Sequence, residues 1–235
     1  LYKLWSAIKE MNPGLMIDNC ASGGRRIDIE TCSLSYPLWR SDFNDIAEGL
    51  KGKDYWPMMG RSDQIMSNGL ALYLPFQSGP IWKVTPYCFR SGMTSSLVLY
   101  EQILDKKFPS DLAQAGIAEL KELRPFFVGN FYPLMKLTVN QDDWYAYQLD
   151  RPDLEKGCVF FFRRPKSNVL MCEFRLNNID SDAQYMVSIT PETYEKGTWK
   201  KMSGSQLNHL RITIEEKPGS VLLIYKRQQE DTVQN

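Results

Sequence analysis

Near residue 129 the periodicity of this chain changes, and no other feature limits its fold as much. Before that point, helical spacing alternates with short apolar stretches. Leu1, Leu4, Trp5, Ile8 and Met11 recur at helical intervals until Asn12-Pro13-Gly14. A strand is expected over Leu15-Met16-Ile17, ending in the polar run Asp18-Asn19-Cys20. Tyr36-Pro37-Leu38-Trp39 leads into Arg40-Ser41-Asp42, and Phe43, Ile46, Ala47 and Leu50 mark another helical face, closed by Gly52. The pattern then predicts a helix before Gly69, a strand from Leu70 to Phe76, a Gly/Pro-containing loop and a strand over 95–99. A helix capped by Ser110, with Ala113, Ile117, Leu120 and Leu123 on one face, ends at Pro125.

About four such units, with near-continuous apolar strands, predict a parallel sheet covered by helices. In that arrangement ligands sit at the strand carboxyl ends, which here carry Asp18-Asn19-Cys20, Ser41-Asp42 and Gln77-Ser78-Gly79. Beyond residue 128 the text becomes short, β-rich segments (143–149, 158–163, 170–176, 184–190, 209–215 and 221–226) separated by turn signals. The expected organisation is therefore half of a (β/α)8 barrel over 1–128 and an antiparallel β-sandwich over 129–235.

Several function classes fall away early. Lys plus Arg equals Asp plus Glu at 28 each, giving no basic excess for a nucleic-acid partner. An unbroken apolar run such as Leu70–Leu74 is far short of the ~20 residues of a membrane span. The single histidine, His209, lies in an alternating stretch and reads as a surface strand residue, which leaves little room for histidine-based catalysis or a His-rich metal site. Five cysteines with no C-x-x-C spacing predict neither a zinc site nor a dense disulfide framework. No metal or organic cofactor is expected.

Two segments carry chemistry. In Cys20-Ala21-Ser22-Gly23-Gly24-Arg25-Arg26-Ile27-Asp28 a strand runs into glycines, which offer exposed backbone N–H groups and close approach to a polar ligand. A tight strand-to-helix turn with solvated arginines explains the same residues equally well. A phosphate cradle is weaker, since the spacing matches neither a dinucleotide fingerprint nor a P-loop. In Trp39-Arg40-Ser41-Asp42-Phe43-Asn44-Asp45, Asp42 is either a helix N-cap or a carboxylic acid held against an indole, whose apolar surroundings raise its pKa and suit it to proton donation.

Together these motifs resemble the α-galactosidases of glycoside hydrolase family 36: Cys20-Ala21-Ser22-Gly23-Gly24-x-Arg26-x-Asp28, then Trp39-x-Ser41-Asp42-x-x-Asp45. Leu72-Tyr73-Leu74-Pro75-Phe76, Phe89-Arg90-Ser91, Leu123-Arg124-Pro125-Phe126-Phe127 and Tyr145-Ala146-Tyr147-Gln148 extend the likeness over nearly the whole chain. Arg25 stands where one branch of the family has a third glycine, a difference that could alter the sugar's neighbours. The resemblance implies retaining hydrolysis of terminal α-linked galactose from oligosaccharides, with Asp42 as general acid/base at the end of the sixth barrel strand. Cys20, Ala21, Ser22 and Gly23 would contact the galactose, Trp39 would shape the pocket, and Arg26 and Asp28 would support the loop. An α-N-acetylgalactosaminidase-like enzyme and a non-catalytic carbohydrate-binding remnant remain alternatives.

The family's nucleophile, an aspartate in a Lys-x-Asp pattern after the fourth strand, has no counterpart before Cys20. The chain is accordingly expected to be a C-terminal portion lacking strands one to four. Any signal peptide would lie upstream, which leaves localisation open. Open edge strands would also invite self-association into a homo-oligomer.

Overall fold

The computed structural model describes residues 1–20, 25–40 and 55–229. Its first sheet is parallel, with strands β1 (Asn19–Cys20), β2 (Leu38–Trp39), β3 (Gln77–Ile81) and β4 (Ser96–Leu99) in sequential order. Helices α1 (Tyr2–Met11), α2 (Ile29–Leu34), α3 (Tyr55–Ala71), α4 (Pro86–Gly92) and α5 (Ser110–Leu123) intervene or flank it. No helix among the described residues is long and apolar enough to cross a membrane.

Two strands sit later in the sequence than the apolar pattern predicts. Residues 15–18 carry no regular structure, and the first strand is the polar pair Asn19-Cys20. The run Leu70–Leu74 finishes α3 and its turn, where Leu70 and Leu74 pack on Leu38. The strand that follows is Gln77–Ile81, wholly buried despite its mixed composition. Only Leu70 and Leu74 of the apolar run are drawn inward, while Leu72 and Tyr73 stay exposed, and burial inside the ladder does not require apolar side chains. The Gly/Pro segment expected as a loop contains helix α4, with Thr85 as N-cap accepting from the Cys88 N–H and Pro86 at the first position. Ser110 opens α5 as its first residue, and Pro109 takes the cap position.

The second sheet is six-stranded and antiparallel, ordered β10 (Lys200–Ser203), β9 (Gln184–Thr190), β12 (Gly219–Arg227), β7 (Lys156–Arg163), β6 (Trp144–Arg151) and β5 (Asn130–Pro133). A short helix, α6 (Gly204–Leu207), follows β10. A two-stranded sheet of β8 (Met171–Phe174) and β11 (Leu210–Thr213) covers one face of the six-stranded sheet. Alternation along the strands divides the side chains between two cores. Val159 and Phe161 of β7, with Val221 and Leu223 of β12, meet Phe174, Leu210 and Ile212. Phe160, Phe162, Tyr145, Tyr147 and Leu222 meet Ile81, Phe89, Leu120 and Leu123 from the parallel-sheet region. Both faces are dry, so Cys158–Phe162 reads as a continuous apolar run where a one-sided sheet would alternate. His209 is exposed, 3.3 Å from Glu173, and all five cysteines are free.

A buried charge ties the two regions together. Arg90 of α4, fully buried, donates from Nε and Nη2 to the Glu119 carboxylate of α5 at 2.9 and 2.7 Å. Its remaining donors reach the carbonyls of Ser220 (3.2 Å) and Pro191 (3.1 Å) in the antiparallel region. Gly116 lets α5 approach α4, because a Cβ there would stand 2.9 Å from the Phe89 ring. Arg164, also buried, donates to Gln64 of α3 and to the carbonyls of Thr138 and Asn140.

Removing one partner of a buried ion pair leaves the other charge desolvated and alone. Glu119→Ala is expected to cost about 3–5 kcal/mol in denaturant-induced unfolding. A loss below about 1 kcal/mol, the worth of an exposed pair, would show that water reaches Arg90.

Candidate functional site

The parallel register decides which side chains share a face. Cys20 lies opposite Trp39, Trp39 opposite Ser78, and Ser78 opposite Ser96. The neighbouring positions Leu38, Ile81, Leu97 and Leu99 pack on the helix side. Alternation therefore gives Cys20, Trp39, Ser78, Pro80, Ser96 and Val98 to the opposite face. One alternation further, past the strand ends, come Trp82 and Tyr100.

Aromatic rings gather at these carboxyl ends. Tyr100 lies 5.9 Å from the Trp39 ring and 4.4 Å from the Trp82 ring, with interplanar angles of 33° and 34°. The Tyr100 N–H donates to the Ile81 carbonyl at 3.0 Å and extends the β3–β4 ladder under the ring. Beside it, Glu101 accepts from the Lys83 ammonium and, at 2.6 Å, from the Val84 N–H, which ties together the segments leaving β3 and β4. Tyr100 remains 48% exposed, so the ring row is open to a ligand that offers an apolar face.

The end of β1 is tied to the start of α2. Arg26 donates from Nε to the Cys20 carbonyl at 2.6 Å. Asp28 caps α2 by accepting from the Thr31 N–H at 2.8 Å, which holds its carboxyl below the usual carboxylate range. The Thr31 hydroxyl donates in turn to the Arg26 carbonyl at 2.8 Å. Arg26, Asp28 and Cys20 thus belong to one hydrogen-bonded unit. Ala21, Ser22, Gly23 and Asp42 lie outside the described residues.

Arg40, two positions before Asp42, turns to the helix side. Its guanidinium donates to Ser67 Oγ at 2.7 Å and to Asp63 Oδ1 at 3.1 Å, both on α3. A Cβ on Gly79 would stand 2.9 Å from Arg40 Nη2 and 2.4 Å from the Gly92 carbonyl oxygen, so only glycine lets the guanidinium pass β3. Burial pushes the Asp63 carboxyl up to about 7, against the pull of Arg40. Among the described residues no cluster of His, Cys, Asp or Glu could hold a metal ion.

Sequence reasoning singled out Cys20, Trp39, Arg26 and Asp28, and the register sets Cys20 and Trp39 side by side. It missed Trp82, Tyr100 and the Arg40–Asp63 pair. Trp82 lies in the segment expected as a loop. Placing it needs the end of β3, which the apolar pattern sets several residues too early.

No protein-family model matches the chain. Among curated proteins, the probable alpha-galactosidase G of Aspergillus terreus is 24% identical over 197 residues, covering 80% of this chain and 26% of that protein. An alpha-galactosidase of Escherichia coli is 40% identical over 47 residues, 20% of this chain and 7% of that protein. Among solved structures, the alpha-galactosidase of Lactobacillus brevis superposes with a TM-score of 0.73 at 16% identity, covering all of this chain and 32% of its own. A family 36 alpha-galactosidase of Geobacillus stearothermophilus, in complex with stachyose, gives 0.67 at 17% identity, covering 97% and 31%. The chain resembles the C-terminal portion of these enzymes, over nearly all of its length in the two solved structures, and spans about a third or less of theirs.

Asp63 gives the site a pH signature. Its folded pKa exceeds the ordinary 3.8, so its stabilising contribution is complete below about pH 4 and is lost as the pH rises through 7. Unfolding free energy measured from pH 4 to 7 should fall more steeply for this chain than for Asp63→Asn. Equal slopes would mean that Arg40 keeps Asp63 ionised throughout.

Proposed function

We propose that this chain is the acid/base-bearing, C-terminal part of a retaining α-galactosidase of the glycoside hydrolase family 36 type. In this reading residues 1–128 supply strands five to eight of a (β/α)8 barrel and residues 129–235 its C-terminal β-sandwich. The observation that carries it is the register joining Cys20 and Trp39 on one face, with both sequence motifs continuing from those strand ends. The fold likeness to α-galactosidases supports the same reading.

Asp42 would donate its proton to the glycosidic oxygen as the leaving group departs. The attacking carboxylate would come from an aspartate of a preceding strand, about 5–5.5 Å from Asp42 as retention requires. Water would then cleave the glycosyl ester, with Asp42 taking back a proton. Residues Cys20 to Gly23 would hold the galactose, and the brace from Arg26 to the Cys20 carbonyl would fix that loop. Trp39 would keep the acid in apolar surroundings and favour its protonated form. Trp82 and Tyr100 would stack against an apolar face of the oligosaccharide, a role for ring rows in sugar sites that needs no charge.

This proposal makes the 235-residue chain inactive alone on an aryl α-galactoside, because only one of the two carboxyl groups is recognisable in it. A chain extended upstream through a Lys-x-Asp strand end should turn over. Within it, Asp42→Asn should lower kcat/KM by about a hundredfold or more. Gly23→Val should abolish galactose binding by calorimetry while the circular dichroism is preserved. Turnover by the 235 residues alone, lost in Asp42→Asn, would place the nucleophile among them. Unchanged activity of Asp42→Asn in the extended chain would remove the acid from its role.

A further inference from the structure

A crevice of about 230 Å³ opens on the helix side of the parallel sheet, in the seam between α5 and the antiparallel sheet. The seam is open there because the residues facing it are small. Ala115 and Ala118 form the α5 wall, and the Ser188 and Thr190 side chains face them from β9. The Ser188 hydroxyl donates to the Gly197 carbonyl at 2.8 Å, which draws the 191–199 segment over the mouth.

That segment brings two aromatic rings to the crevice. Tyr194 has φ of 58°, a left-handed conformation that a bulky side chain rarely adopts, and its ring lies 5.1 Å from the buried Arg90 guanidinium. Trp199 lines the mouth, 44% exposed, with Lys226 Nζ over one face of its ring at 4.7 Å. The charged side chains that line the crevice are already matched, and the Lys226 ammonium lies outside that lining. Glu119 is held by Arg90, and Glu122 accepts from Lys196 at 2.6 Å on the rim.

Each feature narrows the ligand. A neutralised lining offers little to an ion. Hydroxyls and a rim ion pair beside an aromatic ring favour a molecule with one apolar face and an equator of hydroxyls. The volume is below the ~300–1,000 Å³ of pockets for drug-sized ligands, which fits a single ring and excludes a longer chain lying wholly inside. We propose that this crevice is a second carbohydrate-binding site, taking one neutral pyranose residue against Trp199. It does not depend on the strand-end reading, since α5 packs on the opposite side of the parallel sheet from Trp39 and Cys20.

The test follows the Trp199 indole N–H by NMR of the 235-residue chain, its signal assigned by its loss in Trp199→Phe. Methyl α-galactopyranoside and methyl α-glucopyranoside serve as probes. At least one should shift that signal saturably, with Kd of about 1–10 mM as expected of one shallow subsite. Ala118→Leu fills the crevice from a helix position that tolerates leucine and should weaken binding at least tenfold while leaving the circular dichroism unchanged. Gly23→Val should leave the Trp199 shift intact, which separates this site from the proposed galactose loop. No saturable shift up to roughly 100 mM sugar, or a shift that survives Ala118→Leu, overturns the proposal.

Discussion

The buried Arg90 guanidinium is the group on which the packing of the two regions depends. A desolvated cation is tolerable only when its donors are spoken for, and three residues share that task. Glu119 supplies the counter-charge from α5, and Ser220 and Pro191 supply carbonyls from the antiparallel region. Helices α4 and α5 cannot shift on the sheet without exposing one of these bonds to loss. The apolar contacts around Phe89, Leu120 and Phe160 supply most of the burial. Those contacts alone are non-directional, and the guanidinium selects one arrangement of them.

Rigidity reaches the strand ends through a second set of buried hydrogen bonds, carried by α3. Helix α3 is fixed on the antiparallel sheet by Gln64, which accepts from Arg164, and by Asn68, which accepts from the Tyr145 hydroxyl at 3.1 Å. From its buried face α3 presents Asp63 and Ser67 to Arg40, and so holds the end of β2. The proposed catalysis would tolerate little displacement, a demand that a scaffold pinned by buried directional bonds would meet better than apolar packing alone. The Trp39 and Tyr100 rings then project from strands whose helix-side faces are already committed.

What the sequence made legible follows from which forces are local. Helices α1 and α5, and strands β7, β9 and β12, announce themselves through period and composition. The Cys20–Asp28 and Trp39–Asp45 motifs were readable as well, because each is contiguous. The first parallel strand was not. Asn19 and Cys20 are polar, and their strand pairing is set by β2 across the sheet. The Gln77–Ile81 strand was hidden behind the more apolar Leu70–Leu74, which ends a helix and packs only Leu70 and Leu74 against Leu38. The ring row was missed for a related reason. Trp82 and Tyr100 lie 18 residues apart and become neighbours only through the Ile81–Leu99 register. The Arg40–Asp63 pair depends on Gly79 leaving room, which no pattern within either partner's segment reveals.

The crevice and the strand ends stand on opposite sides of one helix layer, and the physics of that layer sets their relationship. Glu119 lines the crevice and is also the counter-ion of Arg90, so the wall of the crevice is part of the lock between the two regions. A ligand couples two sites only by favouring one of two states of an element that both sites touch. Here the shared element is a buried bidentate pair between packed helices, whose opening would strand a cation out of water. Occupation of the crevice should therefore leave the strand-end site unchanged in intrinsic affinity. Any benefit from holding a carbohydrate there would come from raising its local concentration near the chain.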